Sequence, residues 1–169
     1  MPRGAKFRRP WSKFDDIETF MSDLDRSAEL IMKLYELRRE EKMRAARDWI
    51  LTFFPESADD ILKTIVDPET SAKYRMVTSY WDMAASFVNF GAINEEMFMA
   101  SQGEAWVVFS KIQPYIAEFR KMVNAPTALK HLEDLLMRQP NAEEFLAERR
   151  AAMVRWKERR AALAAEQGS

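Results

Sequence analysis

The chain has 169 residues, 47% of them hydrophobic, with 11 Phe, 5 Trp and a formal net charge of −1. That is the length of one domain, with enough apolar mass to bury a core unaided, which excludes a wholly disordered chain. The near-neutral charge argues against a chain built to wrap nucleic acid. The absence of cysteine excludes disulfides, thiolate metal sites and a cysteine nucleophile, and fits a reducing cytoplasm.

The chain opens on a basic stretch, residues 1–14, with Arg3, Lys6, Arg8, Arg9 and Lys13 and no acid. Asp15, Asp16 and Glu18 follow where a secretory leader would turn apolar. A solvated tail is the expected form. A first helix is predicted from Asp15, its stripe running through Ile17, Phe20, Met21, Leu24, Ala28, Ile31 and Tyr35. Leu30, Leu34 and Leu37 widen that stripe, so the later half should lie deeper. The stripe lapses at Arg38-Arg39-Glu40-Glu41-Lys42, and a turn near Arg39 should separate it from a second helix through Met43, Ala46, Ile50, Phe53 and Phe54. One unbroken helix is the alternative.

Ser57 is placed to cap a short helix with Asp59 and Asp60 in its first turn. Asp67 then caps a long one, with Pro68 at its first position. Tyr74, Val77, Trp81, Ala84, Ala85 and Val88 form its stripe, and Tyr80, Met83 and Phe87 add apolar surface on other sides. Such a helix belongs in the middle of a bundle. Gly91 and Gly103 are each expected to close an apolar run in a left-handed C-cap, with a short helix capped by Asn94 between them. Trp106, Phe109, Ile112, Ile116, Phe119 and Val123 make the next stripe, kinked by Pro114. Pro126 and Thr127 should open a helix carrying Leu129, Leu132, Leu135 and Leu136. No uncharged stretch approaches the roughly 20 residues that a spanning helix needs.

The last helix, from about Asn141 to Ala165, is highly charged, with a narrow apolar line at Leu146, Met153, Trp156 and Leu163. Heptad-like spacing of this kind suits a docking or coiled-coil seam. The same line could instead lie across the helix's own domain. The expected organisation is therefore an all-α, irregular bundle of six to eight helices over residues 15–139, with a charged amphipathic helix over 140–169.

The run Tyr80-Trp81-Asp82-Met83-Ala84-Ala85-Ser86-Phe87-Val88-Asn89-Phe90-Gly91-Ala92-Ile93-Asn94 resembles a bacterial helical family known only as a domain of unknown function. In that family a long helix ends in glycine, a capped short helix follows, and a third carries Trp, Pro and Arg. Trp106, Pro114 and Arg120 stand in those places, and Tyr35 to Trp49, with Ala46 and Arg47, is similar to the family's leading helix-turn-helix. The resemblance covers roughly Leu34 to Arg120 and implies a helical fold with no activity attached. Many members carry a spanning helix ahead of this region. Here the corresponding segment, Asp15 to Asp25, is acidic and amphipathic.

No constellation identifies a reaction. His131 is the sole histidine, so a carboxylate-bridged di-iron site with two Glu-x-x-His elements is excluded, and no other metal or cofactor is expected. The acid pairs Asp59-Asp60, Glu95-Glu96 and Glu143-Glu144 fall in first helical turns, where they favour the helix dipole rather than form a dyad. Asp82, Asn89, Lys111, Gln113 and Arg120 are polar residues set in apolar helices. Asp82 and Arg120 are the expected ion pair between two central helices. They would either fix helix register or floor a small-molecule pocket walled by Tyr80, Trp81, Trp106 and Tyr115. The leading expectation is a non-enzymatic, cytoplasmic interaction or oligomerisation module that uses the seam from Leu146 to Leu163, its partner a second copy or another protein. The alternative is a helical protein that binds an apolar or amphipathic small molecule.

Overall fold

A computed structural model of the chain describes the backbone of residues 12–167 and the side chains of 22–166. The basic stretch up to Trp11 lies outside the described residues, while Ser12 to Phe14, expected in that tail, already belong to the first helix. The fold is all-α, an irregular bundle with no strand among the described residues. Its helices are α1 (Ser12–Leu37), α2 (Glu41–Thr52), α3 (Ala58–Val66), α4 (Pro68–Asn89) and α5 (Glu95–Ser101). Then come α6 (Gly103–Ile112), α7 (Ile116–Met122), α8 (Lys130–Met137) and α9 (Ala142–Gln167).

Local chemistry sets most of these boundaries. The break between α1 and α2 falls at residues 38–40, where the Glu40 carboxylate accepts the Met43 N–H at 2.8 Å. Ser57, Asp67 and Asn94 cap α3, α4 and α5 through their side chains. The three acid pairs sit in the first turns of α3, α5 and α9. Gly91 takes φ +75°, and the Ala92 N–H reaches back to the Phe87 carbonyl at 2.8 Å, closing α4 as a left-handed cap. Pro114 interrupts the helix it was expected to kink, and Gln113–Tyr115 tighten into a 3-10 turn between α6 and α7.

Two boundaries differ from expectation. Gly103 does not close a helix; it starts α6, and α5 ends before Gln102. The helix expected from Pro126 begins only at Lys130, after Leu129 in a left-handed conformation at φ +55°. Both reflect tertiary anchoring described below.

α4 is the central element, packed by α2, α3, α6 and α8. Val77, Trp81, Ala84 and Ala85 are sealed from solvent, while Met83 and Phe87 keep partial exposure. Among the described side chains of α1, Ile31 and Leu34 are the apolar ones buried in the core. Tyr35 and Leu37, expected to be covered, remain about half exposed at 50% and 55%. α9 divides in two. Ala142 and Leu146 join the common core and Met153 is buried, whereas every described residue from Val154 onward is exposed. Among the described residues no helix is long and apolar enough to cross a membrane.

Candidate functional site

The ion pair expected between Asp82 and Arg120 is not formed. Asp82 accepts the backbone N–H of Leu132 at 2.9 Å. Arg120 binds the Ala128 carbonyl through Nε (3.0 Å) and Nη2 (2.8 Å), and pairs with Glu133 at 2.9 Å. The reason is a capping need. α8 starts behind left-handed Leu129 and has no capping side chain of its own. An uncapped helix N-terminus leaves N–H groups without acceptors, and Asp82 on α4 supplies one from another helix. Arg120 holds the preceding turn in place. Asn89 completes the clamp, donating to the His131 carbonyl at 2.9 Å and accepting from Arg138 at 2.7 Å. Arg138 also pairs with Glu95 at 2.6 Å.

The four aromatic residues expected as pocket walls do not converge. Tyr80 donates its hydroxyl to the Leu34 carbonyl at 2.8 Å and meets Trp81 edge to face, its ring centroid 5.0 Å away. Trp81 is fully buried, and Trp106 packs on Phe145 of α9 with centroids 4.7 Å apart. These three are core residues, because their neighbours fill the space beside them. Tyr115, by contrast, lines a surface depression. His131 rests beside Phe90, with ring centroids 5.6 Å apart. Among the described residues no group of three or more His, Asp or Glu gathers as it would around a metal ion.

The expected seam on α9 divides with its helix. Leu146 is fully buried in the chain's own core, and Met153 is nearly buried where α9 borders two surface depressions. Trp156 and Leu163 remain 60% and 40% exposed. The change falls where α9 runs past the end of the bundle, so the heptad line is a core contact in its first half and a free surface in its second.

Beside that transition lies a groove that the sequence does not reveal. Two adjoining depressions, of about 220 and 300 Å³, share Phe54, Met153 and Lys157. Leu51, Trp156, Tyr115 and Val154 extend the apolar lining, and Lys111, Arg150 and Arg160 add to Lys157 as cations. Glu56 is the single acid of the lining. Among the described residues none of the four cations has a carboxylate within 4.0 Å.

The groove exists because Lys111, on α6, reaches the end of α2. Its ammonium donates to the Leu51 carbonyl at 3.2 Å and the Phe53 carbonyl at 2.7 Å, groups that α2 leaves unpaired at its C-terminus. The Phe54 ring lies 3.8 Å from Lys111 Nζ and 4.9 Å from Lys157 Nζ. Two cations thus lie against one aromatic ring, a favourable contact for each. Arg150 donates to the Ser110 carbonyl at 3.3 Å and the Gln113 amide oxygen at 3.1 Å, binding α9 to α6. Burial, with the charges of Arg160 and Lys157, pushes the Lys111 ammonium down to about 8. The site holds positive charge at its own expense and lacks the anion that would relieve it.

A second charged cluster, also missed in the sequence, pairs each of its cations with an anion of the chain. Glu104 in the first turn of α6 pairs with Arg38 at 2.7 Å and Arg47 at 2.5 Å, and Arg38 lies over Trp81 at 5.1 Å. Burial pushes the Glu104 carboxyl up, but the Arg47 hydrogen bond and the charges of both arginines hold it below the ordinary carboxylate range. Arg38 also donates to Gln102 at 3.0 Å. That anchoring explains why α5 stops at Gln102 and α6 begins at Gly103. Arg47 was noted for its place in a family-like segment, and nothing local in the sequence connects it to Glu104.

A family model described as domain of unknown function (DUF4760) matches residues 25–139, more than half of the chain. The chain belongs to that family. No curated protein and no solved structure matches it. The matched segment of this DUF4760 chain ends before α9. Its groove is accordingly composite: one wall comes from the end of α2 and from α6, inside the match, and the other from α9, outside it.

Proposed function

We propose that the chain is a non-enzymatic interaction module whose docking surface is the second half of α9 together with the groove at its base. The observation that carries this reading is Trp156, 60% exposed on a helix that has left its bundle, beside four cations without a carboxylate partner. An isolated helical half is marginal in water, and covering its apolar residues would stabilise it. An exposed tryptophan bordered by arginine and lysine has the composition of an interface anchor. The groove is elongated and open along α9, a shape that suits a helix laid beside it. Charge complementarity then selects the occupant: an acidic, amphipathic helix of a partner protein, its apolar face on Trp156 and Phe54 and its carboxylates toward Lys157 and Arg160.

Fluorescence anisotropy tests this with two labelled helical peptides of identical apolar pattern, one acidic and one basic on the polar face. The acidic peptide is expected to bind, more weakly at higher salt, and to lose at least tenfold in affinity against Trp156→Glu. Equal binding of both peptides, or indifference to Trp156→Glu, would sink the reading. A cytoplasmic setting accords with the cysteine-free composition and belongs to the same proposal.

A further inference from the structure

A helix of the required chemistry is present on the same chain. The first half of α1, up to Arg26, carries Asp15, Asp16, Glu18, Asp23 and Asp25 against only Lys13 and Arg26. Ile17, Phe20, Met21 and Leu24 recur there at helical spacing. Among the described side chains of α1, Ser27 is the first that is buried. There the hydroxyl accepts the Asn94 N–H at 2.9 Å, and Ile31 and Leu34 enter the core. Of residues 22–26 none is buried. α1 therefore presents exposed acids at Asp23 and Asp25, as α9 presents exposed cations at Lys157 and Arg160.

We infer that the groove beside α9 receives the acidic first half of α1 from a second copy of this chain. The inference rests on reading α9 as the docking surface and adds the identity of the occupant. Three observations point to the same answer. The charges are opposite, with five acids on the α1 half and Lys111, Arg150, Lys157 and Arg160 around the groove. The lengths agree, since Ser12 to Arg26 spans about 22 Å and Arg150 to Gln167 about 27 Å at the helical rise. Finally, α5 is the main contact of α1 whereas α6 and α8 are those of α9, so the acids and the cations sit on helices packed against different elements. Each copy offers one such helix and one such groove, and mutual exchange closes a twofold dimer that covers both at once.

Sedimentation velocity on the full chain tests this directly. The wild type is expected to dimerise, with dissociation favoured by added salt. Reversing the helix (Asp16→Lys with Asp23→Lys) or the groove (Lys157→Glu with Arg160→Glu) should each raise the dissociation constant at least tenfold. Combining all four changes should restore the dimer, because the pairing is then opposite in sign but complementary again. Asp23, Lys157 and Arg160 are exposed, and circular dichroism checks that each variant keeps its helices. A monomeric wild type, or a dimer indifferent to the α1 reversal, overturns the inference. If the acidic peptide still binds at Trp156 in either case, the interaction module stands and only its partner changes. If that peptide fails too, both fall.

Discussion

Two charged clusters flank the same helix, α6, and they end differently. At its start, Glu104 pairs with both Arg38 and Arg47, so each cation, including the Arg38 that lies over Trp81, has an anion within the chain. Near its end, Lys111 meets Lys157 and Arg160 around Phe54, and no carboxylate closes the set. Both clusters tie distant segments together, the first α1 and α2 to α6, the second the end of α2 to α6. The difference lies in what they leave over. A buried charge must find a partner or be strongly disfavoured, so the first cluster is structural, with both guanidinium groups paired although Arg38 Nε has no hydrogen-bond partner. The second is stabilised by carbonyl dipoles and an aromatic face, which orient a cation without neutralising it. Its excess charge remains available to a partner.

The sharpest way to break the comparison is Glu104→Gln. This change keeps the shape but leaves two guanidinium groups largely buried without their anion, and should cost about 3 kcal/mol. Urea denaturation with an unchanged slope would establish it; a loss below about 1 kcal/mol would show that the arginines find solvent instead. The same residue predicts an acid dependence. Because the folded Glu104 carboxyl is held low, its contribution is fully present above the unfolded value near ~4.3 and is lost as pH falls through the lower folded one. The wild type's advantage over Glu104→Gln should therefore persist at about pH 5 and fade below about pH 4.

Lys111 sharpens the other side. Lys111→Met removes two hydrogen bonds to the end of α2 but also relieves a desolvated charge, so the net loss at neutral pH should be small, about 1 kcal/mol. Its pH signature has the same sign as that of Glu104 but falls in the alkaline range, because both groups bind their proton less tightly in the folded chain. The folded ammonium, pushed down to about 8, releases its proton before the unfolded one near ~10.4. Stability should consequently rise from about pH 8 toward 10, and that slope should vanish in Lys111→Met. Parallel pH profiles of the two proteins in denaturant titrations would contradict it. The smallest effects belong to Lys157→Gln, Arg160→Gln and Trp156→Ala, each expected within about 0.5 kcal/mol of wild-type stability. A large loss at any of them would mean that the surface serves the fold rather than a partner.

The fold class, the break near Arg39 and the caps at Ser57, Asp67, Asn94 and Gly91 were legible residue by residue. Each depends on side chains within a few positions of the backbone that they satisfy. Gly103 and the start of α8 were misread because their boundaries are held from elsewhere, through Gln102 bound by Arg38 and Leu132 bound by Asp82. Asp82 and Arg120 were rightly singled out as polar groups needing partners, but the partner of each was misassigned. Residue type shows that a buried carboxylate needs donors, and not that a helix terminus 50 residues away provides one.

The α9 line shows the same division. Its spacing was correct, and spacing alone describes a seam without saying what covers it. Leu146 and Trp156 occupy equivalent places in the pattern, yet one is sealed in the core and the other is 60% exposed. Periodicity and capping are short-range properties, so the sequence by itself determined an all-α chain and most of its helix limits. Which charges meet, which half of α9 stays free and where a cationic groove opens depend on how helices far apart in sequence end against one another. Only tertiary packing decided those features, because the desolvation and pairing of a charge are set by its neighbours in space.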